Sequence, residues 1–177
     1  MQPVVVRRVT ISDAVAVAQL RHTALHDTPY AFAMSPAQLA HPTHHSWSEL
    51  CARCSSGTNS IFVADTGHAL AGMVGCRIDE SSKMHHCGMI WGMYVTDTHR
   101  RLGIAYMLLD AVITHGATQH LQMLKLSVTV RQQTAVRLYQ RTGFMTYAYE
   151  PALLNIDNQE IDALHMVYRY HVEGTQQ

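Results

Sequence analysis

Apolar positions along the chain alternate between a period of two and a period near 3.6, and the switches divide it into strands and helices. Residues 4–10 are short and β-branched, which predicts a strand. Ser12 and Asp13 read as capping residues ahead of an Ala/Val/Leu-rich helix that runs to about residue 26. Thr28-Pro29-Tyr30 ends that helix, because a residue before proline is pushed toward extended geometry. Residues 32–42 carry two prolines and read as loop. Residues 46–54 predict a second helix with Trp47, Leu50 and Cys51 on one face.

Residues 60–65 and 69–78 read as two strands joined through Thr66-Gly67, a hairpin. A polar stretch at 80–85 leads into residues 87–95, a continuous apolar run that predicts a strand buried on both faces. Residues 100–119 have helical spacing, with Leu102, Ala105, Leu109, Val112, Ile113 and Gly116 near one face. Residues 123–130 alternate again. Leu124, Leu126, Val128 and Val130 fall on one side, and Lys125, Ser127 and Thr129 on the other. Residues 132–142 predict a helix closed by Gly143. Two last strands fill 144–170, with a turn near Asp157-Asn158. The order is that of an α/β (α+β) fold with mixed pairing in the last strands.

Composition narrows the reading. A chain of 177 residues with 47% hydrophobic positions can bury one domain's core without staples, and it is too apolar for wholesale disorder. Lys+Arg and Asp+Glu are both 13, so there is no basic excess to track a nucleic acid. No run approaches the ~20 apolar residues of a membrane helix, and the N-terminal residues lack a signal-peptide pattern. The protein is therefore expected in the cytoplasm, away from membranes, with its four cysteines reduced. Cys51 and Cys54 form a single C-x-x-C near His44 and His45. A zinc site would need a second pair, so no metal site is assigned. The 13 histidines are unusual, but their spacing is not that of a ligand set.

The chemistry concentrates between the apolar strand and the helix that follows it. At such a junction the first helical N–H groups have no partners, and the helix dipole adds positive potential. Gly103 lets a bulky anion approach the backbone, Ala105 is small, and Arg100 and Arg101 add charge, so a pyrophosphate is a natural guest. The pattern R-x-x-G-x-A is short, and on those six residues alone an ordinary helix start with a solvated arginine pair is the better reading. Downstream stands Gln132-Gln133-Thr134-Ala135-Val136-Arg137-Leu138-Tyr139-Gln140-Arg141-Thr142-Gly143-Phe144.

Together the two segments resemble the GNAT superfamily of N-acetyltransferases. That family has a strand ending in Val, then [Q/R]-x-x-G-x-[G/A] opening a helix, a second strand, and N-x-x-A-x-x-L-Y-x-x-x-G-F. The resemblance covers nearly the whole chain and is strongest over residues 89–144. It implies a single domain over residues 1–172 followed by a flexible tail at 173–177. It also implies the GNAT acyltransferase fold: a mixed, mostly antiparallel sheet with two splayed strands, flanked by helices.

Acetyl-CoA is the implied acyl donor. The backbone of Met93, Tyr94 and Val95 would hold its pantetheine and thioester carbonyl. Arg100, Arg101, Leu102, Gly103, Ile104, Ala105 and Tyr106 would hold the pyrophosphate. Gln132 stands where the family has Asn, one methylene longer. Tyr139 is the implied general acid toward the thiolate, although a core aromatic one helical turn after Ala135 fits the same position. Relatives often carry a basic Glu on a splayed strand. Residues 89–95 hold no carboxylate, and the second strand offers Ser127 and Thr129. His86, just ahead of the first splayed strand, is the candidate base by proximity, with a solvated loop histidine as the plainer alternative. Glu80 and Glu150 are further candidates, and His99 could touch a phosphate.

The acceptor side would draw on residues 28–32, 41–47 and 147–151, which are aromatic and His-rich rather than acidic. A small amine, an amino acid or a protein N-terminus suits them better than a polycation. The implied function is direct transfer of an acetyl group to a primary amine in a ternary complex. The alternative is a non-catalytic acyl-CoA-binding or regulatory module. The uncovered sheet edge or cleft leaves room for a homodimer.

Overall fold

A computed structural model describes residues 3–39 and 46–170. The elements follow in the order β1 (Val5–Arg8), α1 (Ala14–Asp27), α2 (Pro36–Leu39), α3 (Trp47–Ser56), β2 (Ser60–Asp65), β3 (Leu70–Ile78), β4 (Cys87–Val95), α4 (Ile104–Thr118), β5 (Met123–Thr129), α5 (Gln133–Arg141), β6 (Met145–Ile156) and β7 (Gln159–Arg169). Short 3₁₀ turns cover Ile11–Asp13, Pro29–Ala31 and Asp97–His99.

The seven strands form one sheet in the order β1-β2-β3-β4-β5-β7-β6. The β4–β5 pair is parallel, with α4 as its crossover, and the other neighbours are antiparallel. Two apolar layers cover its faces. On one face α4 and α5 bring Leu108, Leu109, Val112, Val136 and Tyr139 against Leu124, Leu126, Val128 and Met166. On the other, α1 and α3 bring Val17, Leu20, Ala24, Cys51 and Cys54 against Ile61, Val63, Met73 and Tyr94. The period-two pattern of β5 serves the first layer, because Leu124, Leu126 and Val128 all turn toward α4 and α5.

Local signals place several turns. Asp157 and Asn158 both take left-handed φ (52° and 60°), the geometry of a tight two-residue hairpin between β6 and β7. Gly143 follows α5 at φ 94°. At the entry to α1, Asp13 takes hydrogen bonds from the Thr10 N–H (2.7 Å) and from both terminal nitrogens of Arg7 (2.7 and 2.8 Å). The Arg7 guanidinium holds the Asp13 carboxyl well below the usual carboxylate range.

Three expectations need correction. The helix expected from residue 100 begins at Ile104, because Arg101 (φ 63°) and Gly103 (φ 78°) are left-handed and cannot continue a helix. The strand of residues 87–95 is not buried on both faces. Met89 is exposed and Trp91, Gly92 and Met93 are half-buried, since much of that strand lacks a neighbour on one side. Residues 32–39 hold a short helical turn at Pro36–Leu39. The tail expected at 173–177 lies outside the described residues, as does the end of the expected domain.

Candidate active site

The parallel ladder between β4 and β5 is short. Cys87, Gly88 and Met89 pair with Met123, Leu124 and Lys125, and the pairing stops there. The rest of β4 stays joined to β3, and the rest of β5 to β7, so the two strands diverge and leave a gap. Gly92 (φ 66°) and Met93 together oppose Val74 in a β-bulge, which re-aims the backbone of β4 where it borders the gap. Met93 therefore faces the α4/α5 layer and Tyr94 the α1/α3 layer. Along the gap, β4 and β5 present peptide groups that do not pair with one another, the groups that an extended polar ligand would satisfy.

At the far end of β4 the chain turns into α4. The first backbone bond of that helix runs from the Met107 N–H to the Gly103 carbonyl, 3.1 Å. The N–H groups of Arg101, Leu102, Gly103, Ile104, Ala105 and Tyr106 donate to no acceptor among the described residues. A Cβ added at Gly103 would meet nothing within 4 Å among the described residues. Free donors, open space and the positive end of a 15-residue helix together make an anion cradle. Arg100 is turned back from it. Its Nε donates to the Val95 carbonyl (3.2 Å) and it pairs with Asp97 at 2.6 Å. Arg101 has no ion pair among the described residues. Its side chain is the one of the two left to meet a phosphate.

Tyr139 lies in the α4/α5 layer beside Val128, with Phe144 packed against its ring at a centroid distance of 5.8 Å. Burial pushes the phenol above its ordinary value, so it stays protonated. Its hydroxyl donates to no protein acceptor among the described residues. Gln132 caps α5, its N–H bonded to the Thr129 carbonyl at 3.0 Å, and its side chain makes no hydrogen bond there.

The opposite face of the gap is built from α1 and the segment after it. The Thr129 hydroxyl donates to the Tyr30 carbonyl (2.7 Å), which fixes residues 28–32 against the end of β5. The Tyr94 hydroxyl donates to Asp27 at 2.5 Å and ties β4 to the end of α1. His165 of β7 stands opposite Ser127 in the β5–β7 register, two residues past the last β4–β5 pair. Directly paired residues share a face, so His165 shares that of Lys125, Ser127 and Thr129. Its Nε2 meets Glu150 Oε2 at 2.5 Å, and Tyr147 lies beside it at 6.0 Å between ring centroids. Acid and base candidates thus lie on opposite faces of one gap.

The family model of the acetyltransferase (GNAT) family matches residues 20–144, more than half of the 177-residue chain. The chain belongs to the GNAT family. Among curated proteins, N-alpha-acetyltransferase 30 of Xenopus laevis is 27% identical over 101 residues, 57% of this chain and 33% of that protein. The human protein of that name is 27% identical over 101 residues, 25% of its length. The chain thus matches a third or less of the length of these relatives. Solved structures show the same fold. A GNAT-family acetyltransferase of Streptococcus pneumoniae superposes with a TM-score of 0.85 at 20% identity, over 95% of this chain and 100% of that one. A Salmonella typhimurium protein with its cofactor acetyl-CoA gives 0.79 at 16% identity, over 99% of both chains. The ribosomal-protein-alanine N-acetyltransferase of Brucella melitensis gives 0.79 at 18% identity, over 94% of this chain and 99% of that one.

This GNAT sheet places Met93, Tyr94 and Val95 on the unpaired stretch of β4, Arg101 and Gly103 at its far end, and Gln132 and Tyr139 at the cap and in the body of the helix that follows β5. It does not bring His86 to the gap. His86 is exposed, and its carbonyl accepts the Gln122 N–H (2.9 Å) at the paired end of β4. Nine residues of strand, ~30 Å, separate it from Val95. Proximity in sequence to β4 pointed to the wrong end of the strand. Glu80 is exposed on the same closed side. His99 is held by Thr96 and Thr98, with its Nδ1 2.9 Å from each hydroxyl. His115 is not a surface residue. It is buried, with Nε2 2.8 Å from the Thr58 carbonyl. His44 and His45 lie outside the described residues. Cys51 and Cys54 are buried core thiols, and burial pushes Cys51 up to about 11. Sequence reasoning missed His165. Its alternation with Ala163 and Val167 hinted at a face, but the partner Glu150 is set by the register of the last hairpin.

Proposed function

We propose that this GNAT chain is an acetyl-CoA-dependent N-acetyltransferase that transfers acetyl to a primary amine by direct attack in a ternary complex. The carrying observation is the gap between β4 and β5 leading to the unpaired N–H run at the start of α4. A long ligand with an extended peptide-like arm and a pyrophosphate end fits that arrangement. When bound, acetyl-CoA supplies an activated acyl group on a thioester. The N–H groups of residues 101–106, with Arg101, hold the pyrophosphate. The backbone of Met93 to Val95 orients the arm, and Gln132 lies beside its path.

The amine enters from the α1 face. His165, positioned by Glu150, removes a proton from the attacking nitrogen, because an ammonium has no lone pair to attack with. On the other face, the buried and protonated Tyr139 hydroxyl gives its proton to the departing sulfur. Each such group typically contributes ~10²–10⁴-fold. The acceptor is a small amine, an amino acid or a protein N-terminus.

A second reading, a non-catalytic acyl-CoA-binding module, draws on one observation: neither β4 nor β5 carries a carboxylate. Two measurements separate the readings. Acetyl-CoA raises the melting temperature under both, through mass action. Thiol release with a panel of primary amines occurs under the first alone. A protein stabilised by acetyl-CoA but silent across the panel removes the transferase reading, and one that acetyl-CoA leaves unchanged removes both.

A further inference from the structure

Arg21 occupies a position that the helical period of α1 reserves for an apolar residue. It lies one turn from Val17, Ala24 and Leu25, all in the core, and is itself 8% exposed. A buried guanidinium needs a partner, because the interior does not solvate its charge. Nη1 of Arg21 has none among the described residues. The carboxylates near this face are already engaged, Asp27 by Tyr94 and Asp13 by Arg7. Phe32 packs against the fork, with the guanidinium carbon 4.2 Å from the ring centroid. That contact holds the plane of the fork and leaves its N–H groups free in their own plane. Burial lowers the group to about 10, which leaves it fully cationic at neutral pH.

The direction of the fork gives it meaning. Nη1 lies 4.0 Å from the place where a Cβ at Gly92 would stand. Gly92 is the bulged residue at the gap, next to Met93, and Arg21 reaches it from the α1 face. An unpaired, buried cation is thus aimed at the amine-side mouth of the gap, away from the pyrophosphate cradle at α4.

We propose that Arg21 receives a carboxylate carried by the acceptor, and that the acceptor is a free amino acid or a close amino-carboxylate analogue. The proposal rests on the transferase reading and names its substrate class. The planar fork matches a carboxylate bidentately. The cation sits one residue from Met93, so charge and amine must be only a few bonds apart, as they are in an α-amino acid. A peptide N-terminus has an amide in place of that carboxylate. Phe32 on the fork and Tyr30 at the end of β5 offer aromatic surface on the α1 side of the gap for the side chain.

The test compares L-α-amino acids with their own carboxamides, which keep the amine and lose the charge. Binding is read by thermal shift of the whole protein in the presence of CoA, and turnover by thiol release from acetyl-CoA. The wild type should prefer the carboxylate on the order of tenfold or more in apparent Kd and in KM. Arg21→Gln should erase that preference while leaving the carboxamides and the acetyl-CoA shift unchanged. A purely structural Arg21 would weaken both ligands alike, which overturns the proposal. Equal use of acid and amide by the wild type also overturns it, and does so even if Arg21→Gln fails to fold. Selective binding of peptides with acidic side chains over free amino acids overturns the class. Loss of turnover with carboxylate-selective binding intact would remove the transferase reading and leave Arg21 as an anion site.

Discussion

His165 and Glu150 meet at 2.5 Å across the last hairpin, on the face of the sheet opposite Tyr139. The two side chains come from neighbouring antiparallel strands. His165 pairs with Ala148 and Glu150 with Ala163, so they meet diagonally on one face of the hairpin. His165→Gln should lower kcat by ~10²–10⁴-fold with the KM for acetyl-CoA unchanged. Glu150→Gln should give a smaller loss, because it orients the ring without contacting the amine. Steady-state kinetics at saturating acceptor decide this. An unchanged kcat in His165→Gln would return the deprotonation step to solvent.

Tyr139→Phe keeps the ring that packs on Phe144 and removes only the hydroxyl. The variant should fold, retain the thermal shift with acetyl-CoA, and lose ~10²–10⁴-fold in kcat. Burial raises the phenol above its usual value near 10, so it remains an acid when a free tyrosine would ionise. The rate should therefore show no alkaline decline from this group below about pH 10. A pH–rate profile on wild type and variant checks both points.

Gly103 holds φ 78°, and a Cβ there meets nothing within 4 Å among the described residues, so a side chain takes up the space of whatever the cradle holds. Gly103→Ala should cost ~1–2 kcal/mol of stability for its left-handed backbone. Gly103→Val should in addition raise the Kd for acetyl-CoA by at least about tenfold, near the worth of one charged hydrogen bond. Titration calorimetry with acetyl-CoA and with a pantetheine fragment separates the effects. The fragment lacks the pyrophosphate and should bind both proteins alike.

Stability should fall with acid in two steps of pH. The His115 imidazole is buried, which lowers it below the 6.5 of a free histidine. Folding resists its protonation, so its contribution is complete above that value and is lost as pH falls below it. Asp13 is held below its free value of 3.8, first by the Arg7 hydrogen bonds. Its contribution is complete above that value and disappears only as pH drops further. Melting temperature against pH should show both slopes, and His115→Gln should flatten the first. Asp13→Ala should cost ~2 kcal/mol at neutral pH, a drop of ~4–8 °C.

Much of this molecule is legible in local patterns. The alternation of Leu124, Leu126 and Val128, the Asp157-Asn158 turn, the Gly143 stop and the Gly103 junction each depend on a few adjacent residues. Short-range sterics and hydrophobic period therefore place β5, α5, the last hairpin and the anion cradle. The two motifs also carry the family. Long-range pairing escapes such reading. The length of the β4–β5 ladder depends on how β3 and β7 hold strands that are far apart in sequence, so the sequence shows the gap only by resemblance. His165 finds Glu150 through hairpin register, and His86 loses its claim through the direction of β4. Arg21 looks from sequence like a misplaced charge on an apolar helix face. Packing α1 over Gly92 aims it at the mouth of the gap, because the fold buries its charge and leaves it no partner among the described residues.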